Sequence, residues 1–166
     1  MMKKILLPFL LIFAGYSFAF SQGNVQKQTS EIPSFKILLT DNSYFETKNI
    51  PRNKPFVLVY FAPDCDHCTV LMDALFKKIH QFDKASIVMV TFKSPQEVNG
   101  FAQKYHTAKY PNIKVGTEGQ SNVLRNFYKL EKTPFTAVYD KKGKLAFSYK
   151  NETPVNELIT RLKKLT

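Results

Sequence analysis

The chain has no tryptophan and only two cysteines in 166 residues, and it carries little more than half as many acidic as basic side chains, 13 against 24. Each shortage removes a class of function. Beyond Cys65, His67 and Cys68 there is no second ligand pair at the spacing a closed tetrahedral zinc site requires. No cysteine precedes Cys65, so a lipid-modified cysteine near the N-terminus is excluded. The lysines are scattered, with small clusters at Lys141, Lys142, Lys144 and at Lys163, Lys164. No basic stripe is interleaved with aromatics as a nucleic-acid groove demands, so the excess reads as a solvated basic surface. Internal repeats and low-complexity tracts are also missing.

What is present describes one packed domain. The apolar fraction of 44%, with fifteen Phe and eight Tyr, suffices for a single hydrophobic core and is unlike a disordered chain. At the N-terminus, Met1-Met2-Lys3-Lys4 precedes an apolar run from Ile5 to Phe20, interrupted by Pro8, and Ala19-Phe20-Ser21 is a small-x-small cleavage pattern. Residues 1–21 are therefore expected to be an export signal and 22–32 a flexible tether, with the domain spanning 33–166. An uncleaved membrane anchor is the alternative. Export would place the domain in the periplasm or outside the cell, where disulfides persist. Loss of Lys3 and Lys4 leaves 22 basic against 13 acidic residues, a charge of +9 that favours weak association with an anionic membrane surface.

Along the domain, Phe35 to Leu39 and Tyr44 to Glu46 flank Thr40-Asp41-Asn42-Ser43 and predict a β-hairpin. Phe56 to Phe61, bounded by Pro55 and Pro63, reads as a central strand covered on both faces. Leu71, Leu75, Ile79 and Phe82 then recur at helical spacing, predicting a helix to about Phe82. Ser86 to Phe92 is a second buried-type strand. Ser94-Pro95-Gln96-Glu97 is a capping box with Pro at the first helical position, followed by Val98, Phe101, Ala102 and Tyr105 on one face. After a break at Tyr110-Pro111-Asn112 comes a short amphipathic piece carrying Val123, Leu124 and Phe127. Phe135 to Tyr139 and Lys144 to Tyr149 flank a turn ending in Gly143, and a last helix starts with Thr153 as N-cap. The expected order is hairpin, β, α, β, α, short α, β, β, α.

Both cysteines sit in Tyr60-Phe61-Ala62-Pro63-Asp64-Cys65-Asp66-His67-Cys68, at a strand-to-helix junction. A sulfur in the first turn of a helix faces unpaired N–H groups and the positive end of the macrodipole, both of which favour thiolate. Two intervening residues let the pair close a small disulfide ring. On this logic Cys65 is the nucleophile and Cys68, one turn deeper, resolves the mixed disulfide. A structural disulfide, a Cu(I) site on Cys65, His67 and Cys68, and two idle thiols stay open as alternatives. His80 and His106 read as surface residues. Tyr60 and Phe61 are candidates to line a groove beside Cys65, although at least one of them should pack in the core.

A buried strand running into C-x-x-C on a helix, followed by Thr133-Pro134 ahead of a strand hairpin and a last helix, resembles the thioredoxin superfamily over about residues 33 to 166. The added hairpin and the long segment from Ser94 to Lys132 make it most similar to the exported thiol:disulfide oxidoreductases of that superfamily. The resemblance implies an α/β three-layer fold with a central mixed sheet and helices on both faces. It also implies a cis proline at Pro134, with the backbone of Thr133 presented to a substrate chain. No organic cofactor is implied. The partners implied are protein thiols or disulfides and a separate redox partner, with the chain acting as a monomer.

Departures from the pattern concern the charges. Asp64 and His67 stand where family members usually carry Trp and Pro. His67 resembles the histidine that stabilises the thiolate in periplasmic disulfide oxidases, whereas Asp64 and Asp66 oppose a thiolate. Asp64, Asp66 and His67 are therefore the candidate pKa-tuning residues, and the direction of electron flow is left open. Leu71 and Val59 replace acids that assist proton transfer in relatives. Two readings from other classes remain: a copper(I) metallochaperone using Cys65 and Cys68, and a non-catalytic binding module.

Overall fold

The computed structural model describes residues 30–166, so the expected signal and most of the expected tether, residues 1–29, lie outside the described residues. Strand β3 (Phe56–Tyr60) is the axis of the fold. Every one of its residues is buried, and alternation divides them between two cores. Val57, Val59 and Phe61 face one side with the apolar stripes of α1 (Asp66–Lys77), α2 (Pro95–Lys104) and α4 (Val155–Lys163). Phe56, Leu58 and Tyr60 face the other, with α3 (Val123–Tyr128) and the N-terminal hairpin. Each such side chain removed from water contributes roughly 1.5–3 kcal/mol, whereas an unpaired charge at these positions would lose its hydration.

The hairpin strands are β1 (Lys36–Leu39) and β2 (Tyr44–Glu46), followed in chain order by β4 (Ser86–Thr91), β5 (Ile113–Thr117), β6 (Phe135–Tyr139) and β7 (Leu145–Lys150). They form one mixed sheet in the order β2-β1-β5-β4-β3-β6-β7. Strands β3, β4 and β5 are mutually parallel, and the remaining pairings are antiparallel. Helices cover both faces, as the α/β three-layer reading requires. The last residues of the expected tether lie against the sheet: Glu31 bridges Lys144, and Leu145 N–H donates to the Ser30 carbonyl at 2.5 Å.

Four expectations are corrected. Strand β5 was not foreseen, because Lys114 and Gly116 interrupt its apolar run. The glycine is required by close approach to β1, since a Cβ there would lie 2.6 Å from the Leu38 carbonyl oxygen. The helix expected to reach Phe82 ends at Lys77. Lys78 leaves the helical region, and a 3₁₀ turn (Ile79–Phe82) continues the apolar face. Val123, placed on the apolar face of the short helix, is 42% exposed, and Leu124 with Tyr128 makes the contact. Thr153 does not cap α4: its hydroxyl pairs with that of Thr136 at 2.8 Å, and Pro154 takes the cap position.

The capping box of α2 forms as expected, with Ser94 Oγ accepting from Glu97 N–H at 3.3 Å and Glu97 Oε2 accepting from Ser94 N–H at 2.9 Å. Helix α3 is held differently. Glu118, at the end of β5, is buried, and its carboxylate accepts from Leu124 N–H at 2.8 Å and from the Tyr60 hydroxyl at 2.7 Å. One acid thus ties the positive end of α3 to the last residue of β3.

Replacing Gly116 by Ala should destabilise the fold by on the order of 2 kcal/mol, because the added methyl forces β1 away from β5. Chemical denaturation should show a lower midpoint with an unchanged slope. An unchanged midpoint would mean that the β1–β5 contact yields at no cost.

Candidate active site

Beyond Tyr60 the backbone keeps one more sheet bond, Phe61 N–H to the Val90 carbonyl at 2.9 Å, and then leaves through Ala62-Pro63-Asp64. The turn closes with Cys65 N–H donating to the Ala62 carbonyl at 3.2 Å, which sets Cys65 at the N-cap of α1 in extended conformation. Its sulfur accepts from Cys68 N–H at 3.4 Å, as a capping oxygen would. Because β6 runs antiparallel to β3 with Tyr60 opposite Phe135, the residues just before β6 lie past the end of β3. Thr133 and Pro134 are thereby brought to Cys65, whose thiol donates to the Thr133 carbonyl at 3.6 Å. The Thr133–Pro134 peptide bond is cis.

The two sulfurs, unbridged in this structure, occupy opposite environments. Cys65 is half-buried and Cys68 is only 2% exposed. Burial by itself pushes the Cys65 thiol up. The hydrogen bonds from Cys68, the Thr133 side chain and the backbone N–H groups of Cys68 and His67 outweigh it and hold the thiol below its ordinary value. The Thr133 carbonyl acts the other way, since it can only accept and so favours the protonated sulfur. Burial pushes Cys68 up to about 12. One sulfur is thus prepared to ionise, and its neighbour one turn away keeps its proton.

The remaining candidates are distributed unevenly. Asp66 and His67 are exposed in the first turn of α1. Among the described residues no three His, Cys, Asp or Glu side chains converge as a metal site would require. Asp64 is engaged by Lys93 Nζ at 2.6 Å, and the hydrogen bond from that amine holds its carboxyl below the usual range. Tyr60 and Phe61 are both fully buried. Tyr60 points to Glu118, while Phe61 packs at a tilt against Phe101 with ring centroids 4.3 Å apart and lines a cavity of about 340 Å³. That cavity touches Cys68, with Met72 and Phe101 in its walls and Asp64 and Glu97 at its rim. His80 and His106 are exposed and remote from the thiols, and His80 lines a larger cavity of about 720 Å³ at the opposite end of the sheet.

Lys93 and Glu118 were missed by sequence reasoning. Lys93 lies 29 residues from the acid it pairs with, and Glu118 lies 58 residues from Tyr60, so no local spacing signals either contact.

Residues 29–162 match the AhpC/TSA family. The chain belongs to the AhpC/TSA family. No curated protein matches the sequence at a significant level. Among solved structures, this AhpC/TSA chain is similar to a peroxiredoxin-like protein from Aquifex aeolicus, with a TM-score of 0.69 at 14% identity over 83% of this chain and 86% of that one. It is also similar to a secreted disulfide oxidoreductase of Mycobacterium tuberculosis, with a TM-score of 0.67 at 18% identity over 79% and 96% of the two chains. A thiol-disulfide oxidoreductase from Bacteroides fragilis gives a TM-score of 0.67 at 15% identity over 82% and 99%. At these identities the likeness is one of fold, and the fold is that of the thioredoxin superfamily.

In the reduced AhpC/TSA chain, alkylation should modify Cys65 with a pH midpoint below the ordinary thiol value of about 8.5. Cys68 should react at least about tenfold more slowly until the protein is unfolded. Mass spectrometry of peptides trapped across a pH series checks both statements, and equal rates for the two cysteines would contradict the asymmetry.

Proposed function

We propose that the chain is an exported thiol:disulfide oxidoreductase that acts on protein disulfides or dithiols through Cys65 and Cys68. One observation carries the reading. Within a single helical turn, an accessible sulfur whose ionisation is favoured stands beside a buried sulfur held protonated, and the accessible one contacts Thr133.

In the reducing direction, Cys65 thiolate attacks one sulfur of the substrate disulfide. A Cys65–substrate S–S bond forms, the substrate S–S bond breaks, and the first substrate sulfur leaves as thiolate. Cys68 then attacks Cys65 Sγ, the mixed disulfide breaks, and the second substrate sulfur departs. The proton that Cys68 sheds balances one taken up by a departing substrate sulfur, so two electrons pass from the pair to the substrate. In the oxidising direction the same steps run backwards. Low exposure of Cys68 keeps external disulfides away from it, which makes Cys65 the point of entry.

Thr133 and Pro134 are the residues against which a substrate segment would lie. In the free protein the Thr133 carbonyl is engaged by the Cys65 thiol, and that bond is given up when Cys65 ionises or forms a mixed disulfide. Asp64, Asp66 and His67 tune the nucleophile, with Asp66 and His67 in the exposed part of the turn. Protein thiols or disulfides and a second protein that resets the pair are the partners of this reading, and export by residues 1–21 supplies the compartment.

Cys65→Ser should abolish turnover of a model protein disulfide. Cys68→Ser should accumulate a covalent Cys65–substrate adduct visible on a non-reducing gel. A glutathione titration of the wild-type pair then gives the direction: a midpoint near about −270 mV indicates a reductase and one near about −120 mV an oxidase. Undiminished turnover by Cys65→Ser would end the proposal.

A further inference from the structure

Asp64 directly precedes Cys65, and an unpaired carboxylate in that place opposes a thiolate. The structure supplies a partner. Lys93, in the connection between β4 and α2, sets its Nζ 2.6 Å from Asp64 Oδ2. Its side chain is only 23% exposed, against 62% for Asp64. Its backbone is fixed at both ends, with the N–H donating to Thr91 Oγ1 at 3.3 Å and the carbonyl accepting from Thr117 Oγ1 at 2.6 Å. The amine lies 5.5 Å from the Phe92 ring centroid. The backbone from which the lysine reaches the acid is therefore fixed by the fold, and its side chain is more covered than that of an ordinary surface ion pair.

The rival acid is occupied elsewhere. Glu97 Oε1 stands 3.8 Å from the same amine, while Oε2 accepts from the N–H and hydroxyl of Ser94 at the start of α2. The charged and titratable groups on the elements next to Cys65 are Asp64, Asp66 and His67 on its own turn, Lys93 after β4, Glu97 and Lys104 on α2, and the exposed Glu131 and Lys132 ahead of Thr133. Of the two acids that flank Cys65, only Asp64 has an ion-pair partner among the described residues.

We propose that Lys93 is a positioning residue of the thiol pair: it takes up the charge of Asp64, so that the thiolate of Cys65 forms beside a neutralised acid. The consequence for turnover rests on the oxidoreductase reading above, but the ionisation of Cys65 is measurable without it.

The test uses the reduced full chain and follows the pH midpoint of Cys65 alkylation. Lys93→Met retains the aliphatic stem and should raise the midpoint by about one pH unit. Lys93→Arg should keep it at the wild-type value. Adding Asp64→Asn to Lys93→Met should bring it back, since with no acid to neutralise the lysine is no longer needed. Where Cys65 is ionised at the assay pH, a tenfold loss of thiolate stabilisation lowers the potential of the pair by about 30 mV in a glutathione titration. An unchanged midpoint in Lys93→Met overturns the proposal, as does an upward shift that persists in the double variant. If the expected pattern appears but the wild type turns over no disulfide, the role of Lys93 stands and the oxidoreductase reading falls.

Discussion

The antiparallel register between β3 and β6 is the constraint on which the rest of the site depends. With Tyr60 opposite Phe135, the chain leaving the end of β3 and the chain entering β6 are neighbours at the same end of the sheet. Cys65 comes from the first and Thr133 from the second, 68 residues apart in sequence and 3.6 Å apart in space. A slip of one residue would turn every β6 side chain to the opposite core. Burial of β3 on both faces makes such a slip expensive, so the core that stabilises the domain also sets the distance between sulfur and carbonyl.

The asymmetry of the thiols follows from their places on one turn. At the N-cap, Cys65 receives backbone N–H groups that have no partner within the helix, and these favour its charge. Three residues on, Cys68 points into the core shared by Leu71, Met72 and Leu75, where a charge is costly. No residue specialised for acid–base work is needed to separate them. The helix start acts on one sulfur and the hydrophobic core on the other. Acids close by would work against the first effect, and Lys93 pairs with one of them, Asp64.

Most of the architecture was legible in the sequence because its strongest signals are local. The all-apolar run of β3, the Ser94–Glu97 box and the two hairpin turns each specify their own geometry within a few residues. Strand β5 was not legible, because Lys114 and Gly116 break its pattern for reasons that lie in β1 and in solvent. Thr153 looked like a cap since its partner, Thr136, is on another strand. The same limit applied at the site. The cysteines and the Thr133-Pro134 pair could be placed together by resemblance, whereas the charge balance around Cys65 depends on Lys93, which no spacing connects to Asp64. Tyr60 and Phe61 could be assigned opposite directions from strand alternation, but the acid that receives Tyr60 could not be named.

The contact of Glu31 with Lys144 has a directional meaning. Lys144 leads into β7 beside Tyr139, and Tyr139 pairs with Phe56 at the start of β3, whereas Cys65 lies beyond the end of β3. Ser30 and Glu31, the first of the described residues, consequently lie at the pole of the domain opposite the thiols, and the approach to Cys65 is left clear of them.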